Sequence, residues 1–156
     1  MENYFRQLAH LFEQIGQRRF EVLISSDNTG KVEGFCEELI EASLPTEMTV
    51  GGRTYEILGF LKGKEKHVSG YTMVDRAKEM NAHLGEDDGR HILKHQNEIP
   101  VELRGNVLFV FTDWRNYNGS SIFCVGWFDG RWVEDWFWLI IDWLNKCRVL
   151  CLKSTS

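Results

Sequence analysis

A chain of 156 residues is long enough to bury roughly two-thirds of its unfolded surface without disulfide staples, and its formal charge of −5 argues against a phosphate-tracking surface spread over the whole protein. The longest apolar run, WFWLII at 136–141, is far short of the roughly 20 residues a membrane-crossing helix needs. The four cysteines, Cys36, Cys124, Cys147 and Cys151, fall inside apolar patterns, and MENYFRQLAHLFEQIGQRR lacks the apolar core of a leader; reduced thiols in a cytoplasmic protein are expected.

Residues 3–16 carry Tyr4, Phe5, Leu8, Leu11, Phe12 and Ile15 at the spacing of one helical stripe, with Gly16 as a natural stop. FEVLIS at 20–25 predicts a short strand. SSDNTG after it is a turn able to cap a helix from about Lys31 to Ala42, whose apolar face holds Val32, Phe35, Cys36, Leu39 and Ile40, and Pro45 closes the segment. EMTV, Gly51-Gly52 and RTYEIL predict a hairpin, the glycine pair supplying the positive φ values of the turn. Residues 1–60 thus predict an αβαββ unit, either a lobe of its own beside 70–156 or part of a single domain over 1–156. GFLKGKEKHVSG at 59–70 reads as a polar, glycine-rich linker with a local basic patch.

Thr72 opens a T-x-x-D variant of the capping box, and Met73, Ala77, Met80 and Leu84 mark the buried stripe of a helix ending near Gly85. Glu86, Asp87 and Asp88 then place acidic charge at the start of a second helix over about 87–98, where the helix dipole favours it, and Pro100 ends that helix.

All six tryptophans lie within 106–152, a stretch that predicts a four-stranded antiparallel β-meander. Asp129-Gly130 is a strong two-residue hairpin signal, because a type I′ turn needs positive φ at both central positions. A loop of that length fixes a register, with Phe128 facing Arg131 and Trp127 facing Trp132. Counting by twos, one face carries Phe123, Val125, Trp127, Trp132, Glu134, Trp136 and Trp138. The other carries Ile122, Cys124, Gly126, Phe128, Arg131, Val133, Asp135 and Phe137. Val107 to Phe111 is apolar on both faces, as a central strand should be. The expected class is α+β: the N-terminal αβαββ unit, two helices, then the tryptophan-rich sheet with helices packed on one face.

From GGRTYEIL through TMVDRAKEMNAHLGEDDGRHILKHQNEIPVELRG to FDGRWVEDWFWLIIDW and RVL, the sequence resembles small uncharacterised proteins of metagenomic candidate-phylum bacteria. Those share an RA-x3-(N/G)A-x-LG-x-(D/E)D-x5-HQ-x-EIP segment and a tryptophan-rich ending. The resemblance covers about residues 50–152. It implies a small bacterial protein without an export signal and a recurring module at 106–152, and it implies no residue role.

The aromatic residues are the strongest functional lead. Trp114, Arg115 and Tyr117 fall in a polar loop, 113–120, with the composition of a binding hot spot, and Trp136, Trp138 and Trp143 extend it across the sheet. His91 and His95 are four apart on a helix and make half of a zinc site, but HILKH lacks the glutamate of a metalloprotease helix. Cys147 and Cys151 share a strand face near Cys124 and read as packing. Asp113, Asp135 and Asp142 are carboxylates among aromatics, where burial can raise a pKa. No metal and no cofactor is expected. The reading is a non-catalytic interaction module that binds a protein partner, or a second copy of itself, through the tryptophan-rich sheet and loop 113–120. Stacking on single-stranded nucleic acid, with Arg115 and the lysines of 62–66 for phosphate, is the alternative. An enzyme of unrecognised class ranks third.

Overall fold

The computed structural model describes residues 43–155. The helices expected at 3–16 and 31–42, the strand at 20–25 and Cys36 lie outside the described residues. The chain divides into two units, Met1–Leu44 and Pro45–Ser156, and the second is described here.

It begins with strands β1 (Glu47–Val50) and β2 (Arg53–Leu58), a short strand β3 (His67–Ser69), and helices α1 (Gly70–Glu79) and α2 (Glu86–Lys94). Two 3-10 turns, Gln96–Glu98 and Val101–Leu103, lead into β4 (Leu108–Arg115), β5 (Ser121–Phe128), β6 (Arg131–Trp138), β7 (Asp142–Leu144) and β8 (Cys147–Thr155). Six of these strands form one sheet in the order β1-β2-β8-β4-β5-β6, and β3 pairs with β7 apart from it. The class is α+β, with an antiparallel sheet apart from one parallel pair.

Local turn chemistry sets both hairpins. Gly51 and Gly52 take φ of 55° and 79° between β1 and β2, and Asp129 and Gly130 take 50° and 79° between β5 and β6. Both pairs match the type I′ requirement. The second turn fixes the register expected for it, Phe128 opposite Arg131 and Trp127 opposite Trp132. The Trp127 and Trp132 rings meet edge to face at 5.7 Å.

Long-range pairing departs from the four-stranded meander. Only β4, β5 and β6 follow one another in space; β8 returns to lie parallel to β4 and antiparallel to β2. The physical reason is β4 itself. A strand apolar on both faces needs cover on each face and a partner on each edge, and β8 fills the vacant edge. Through β8 the β1–β2 hairpin joins the same sheet, so it belongs with the C-terminal strands and not with a lobe ending near residue 60.

The stretch expected as a linker at 59–70 also carries structure. Phe60 and Val68 are buried, and Val68 pairs with Trp143 between β3 and β7. Ser69, not Thr72, caps α1: its Oγ accepts the Thr72 N–H at 3.2 Å, and the helix ends before Asn81, which takes a positive φ of 55°.

The two helices lie on opposite faces of the sheet, where one shared face was expected. Met73, Val74 and Ala77 of α1 cluster with Val110, Ile122, Cys124 and Val149. Gly89 of α2 instead lies against Phe111 and Trp114. Val110 and Phe111 are consecutive on β4 and so point to opposite sides. Phe109, Phe111, Trp132, Tyr55 and Leu150 are fully buried on the α2 side.

Candidate interaction surface

β6 is the edge strand, and its residues change character along its length. Trp132 is buried and stacks on Phe109 at 5.3 Å, while its backbone N–H donates to Gln96 Oε1 at 3.0 Å. Glu134, Trp136 and Trp138 follow on the same face and are exposed, the two tryptophans by 51% and 57%. In the turn after β6, Leu139 is buried and acts as a clasp. Its N–H donates to Ser120 O and its carbonyl accepts from Gly70 N, both at 3.0 Å. Ile140 and Ile141 then face outward, Ile140 by 74%.

Those two backbone bonds bring three segments to one end of the sheet: the β4–β5 turn, the end of β6, and the first turn of α1. Trp136 and Trp138 at the end of β6 and Ile140 and Ile141 in the turn after it are exposed, an apolar ridge along the chain, and Tyr71 and Tyr117 are exposed on the two segments that those bonds join to it. Tryptophan and tyrosine are among the residue types that most often carry binding energy, and exposed apolar patches are common at interaction surfaces.

The ridge is not an open sheet edge. In a two-residue hairpin, residues 132, 134, 136 and 138 hold the positions whose N–H and C=O point away from β5. The Trp132 N–H is taken by Gln96, and the Trp136 N–H donates to Asp135 Oδ1 at 2.8 Å. Side chains thus cap part of the edge, and charge at Glu134 and Asp135 guards its middle. What the strand offers is its side chains.

The other expected binding residues are placed differently. Trp114 is only 5% exposed. β4 does not stop at Phe111 but runs to Arg115 through an irregularity in its pairing with β5, and this carries the indole into the core. There it stacks on Phe123 at 4.7 Å, meets Phe111 edge-on, and lies beneath the Arg90 guanidinium at 5.3 Å. Arg115 folds back on its own turn, donating from Nε to Thr112 O at 2.9 Å and from Nη1 to Gly119 O. Tyr117 is fully exposed. A stacking platform of Trp114, Arg115 and Tyr117 is therefore not assembled. Trp143 is buried against Phe137 on the α1 side. Of the six expected residues, Trp136, Trp138 and Tyr117 reach the surface freely. Ile140, Ile141 and Tyr71 were missed. The signal for the two isoleucines was the WFWLII run itself, in which strand alternation cannot bury every large side chain.

The chemical constellations resolve into structural roles. His91 Nε2 lies 2.9 Å from Val50 O, and the His95 ring stands 4.7 Å from that of His91. Glu98 accepts the Gly51 N–H at 2.5 Å, so these groups hold α2 and the following turn to the β1–β2 hairpin. Among the described residues no group of three or more His, Cys, Asp or Glu side chains is placed to hold a metal ion. Burial pushes the Cys124 and Cys147 thiols up, away from the thiolate a ligand or nucleophile needs.

The arrangement nearest to a catalytic relay is Asp113, His83 and Thr112. His83 Nε2 lies 3.3 Å from Asp113 Oδ1, and its Nδ1 lies 2.6 Å from the Thr112 hydroxyl. Thr112 is fully buried, so no substrate reaches that hydroxyl, and the three groups tie the Ala82–Leu84 segment to β4. Asp113 N–H donating to Leu84 O at 2.9 Å completes the tie. Asp135 caps Trp136, and Asp142 pairs with His67 at 3.4 Å. No helix among the described residues is long and apolar enough to cross a membrane. No protein-family model, curated protein or solved structure matches the chain.

Proposed function

We propose that this domain is a non-catalytic interaction module that binds another protein through the ridge of Trp136, Trp138, Ile140 and Ile141. The observation that carries the reading is the exposure of four large apolar side chains within residues 136–141, two at the end of β6 and two in the turn after it, beside a strand edge that side chains cap in part. A second copy of the chain fits less well. Two β6 strands paired antiparallel through their outward-bonding residues, 132 opposite 138 and 134 opposite 136, set Asp135 of each opposite Asp135 of the other, and like charges directly across a strand pair repel. Nucleic-acid stacking loses its platform with the burial of Trp114. Cys124, Cys147 and Cys151 are free, which supports a reducing, cytoplasmic setting.

A photoreactive benzophenone amino acid in place of Trp138 tests the reading in an extract of the source cells, against the same group in place of the exposed Lys64. A discrete crosslinked protein specific to the Trp138 position, competed by unlabelled wild type and not by Trp136→Ala, is expected. Equal labelling from both positions, or competition by Trp136→Ala as strong as by wild type, overturns it.

A further inference from the structure

Two tryptophans of the domain, buried Trp114 and half-buried Trp127, each carry a guanidinium on the ring. Arg90 stands over Trp114 at 5.3 Å and Arg104 over Trp127 at 4.5 Å. Among the described residues no cation stands over Trp136 or Trp138. Glu134 lies two residues before Trp136 on the same face, exposed, and that spacing along a strand is about 6.5–7 Å. A guanidinium lying flat on the Trp136 indole has its N–H edge directed at a carboxylate that far away.

The charge around the ridge points the same way. Glu134 is exposed on the Trp136 face, and the exposed Asp135 carboxylate turns back to the strand edge at the Trp136 N–H. The arginines nearby are already engaged: Arg90 with Glu86 at 2.7 Å and, more weakly, with Glu134, and Arg115 with the carbonyls of Thr112 and Gly119. Arg131, at the far end of β6, lies on the opposite face from Trp136. Resting on the reading of the ridge as an interaction surface, we infer that its partner is an arginine-bearing apolar segment of another protein, with one guanidinium seated on Trp136 and paired to Glu134. Arginine suits the site better than lysine because its planar group stacks on the ring and still donates in its own plane. Phosphate chains meet carboxylates here and are disfavoured.

The test is fluorescence anisotropy of short dye-labelled peptides that alternate arginine and leucine, beside analogues with lysine or glutamine at the arginine positions and a labelled oligothymidylate. The arginine peptide is expected to bind about tenfold more tightly than the glutamine analogue. Glu134→Gln should remove most of that advantage, and Trp136→Ala should remove binding. Glu134 is exposed, so its substitution leaves the fold intact, as far-UV circular dichroism will verify. If arginine and glutamine peptides bind equally and both depend on Trp136, the arginine inference falls while the interaction surface stands. Self-association in sedimentation velocity that is lost in Trp136→Ala has the same meaning, with a second copy as the occupant. Binding that is indifferent to Trp136, or binding of the oligonucleotide alone, overturns both. No binding of any peptide overturns the inference.

Discussion

The six-membered ring of the Trp114 indole lies across the backbone of α2 at Gly89, so close that a Cβ on that glycine would come within 2.5 Å of Cε3 and Cζ3. Glycine inside a helix ordinarily costs about 1 kcal/mol relative to alanine. Here the sign reverses, because the added methyl must displace a buried ring stacked on Phe123. Gly89→Ala is expected to destabilise the domain by about 1–3 kcal/mol in urea unfolding. Gly89→Ala combined with Trp114→Leu should recover part of that loss, and stabilisation by Gly89→Ala alone would contradict the packing.

Tyr55 is fully buried and its hydroxyl donates to Asp88 Oδ1 at 2.7 Å, while Arg53 donates to Asp87 and Asp88 at 2.8 and 3.1 Å. Burial, with the Asp88 bond second, raises the phenol above its ordinary value of 10. A phenol kept neutral by the fold favours the native state fully below pH 10, and that contribution is lost as the pH climbs further. Tyr55→Phe is expected to cost about 1–2 kcal/mol at neutral pH and to flatten the alkaline fall in melting temperature. Thermal melts from neutral to strongly alkaline buffer measure both.

Glu65 accepts from Arg76 Nη1 at 2.6 Å and Nη2 at 3.0 Å, and also takes the Lys62 N–H. The Arg76 fork is the main reason its carboxyl falls from 4.5 to about 2. A depressed carboxyl stabilises the fold above its unfolded value, and the contribution drains away as the pH falls from 4.5 towards 2. Glu65→Gln should lower the slope of stability against pH in that window, since the amide does not titrate. An unchanged slope would mean the pair is open in solution.

Trp132 and Trp138 share one strand face yet should respond in opposite ways to truncation. Trp132→Ala removes a fully buried ring and is expected to cost about 3–5 kcal/mol. Trp138→Ala should stay within about 0.5 kcal/mol of wild type, because that ring is more than half exposed. Acrylamide quenching separates them independently: the quenchable fluorescence should fall sharply in Trp136→Phe/Trp138→Phe and hardly at all in Trp114→Phe.

Sequence reasoning succeeded where the determinant was local. Asp129-Gly130 dictated its own turn, the turn dictated the Trp127–Trp132 pair, and alternation then sorted both faces of β5 and β6. It failed at long range. Nothing in CRVLCL says that β8 will lie beside β4 and β2 and not beside its sequence neighbour, since any apolar strand can accept any edge. Trp114 was misplaced for a related reason: DWRNYNGS is polar enough to read as loop throughout, while Asp113 and Trp114 are held in β4 by Leu84 and Gly89, both distant in sequence, and by Phe123 across the β4–β5 turn. On the ridge, Trp136 and Trp138 were legible and their exposure was not. Exposure depends on where the cover from α2 and the following turn ends, which is after Trp132.

The place of β8 between β2 and β4 bears on how the domain is made. Every other strand of the large sheet precedes it in the chain, so on a ribosome the β1–β2 hairpin and the β4–β6 meander emerge as two pieces with facing, unsatisfied edges. Neither half can dock until Cys147–Thr155 has left the exit tunnel to seal the gap. For that interval the nascent chain carries apolar strand edges in search of a partner, the condition in which chaperones find their clients and aggregates begin.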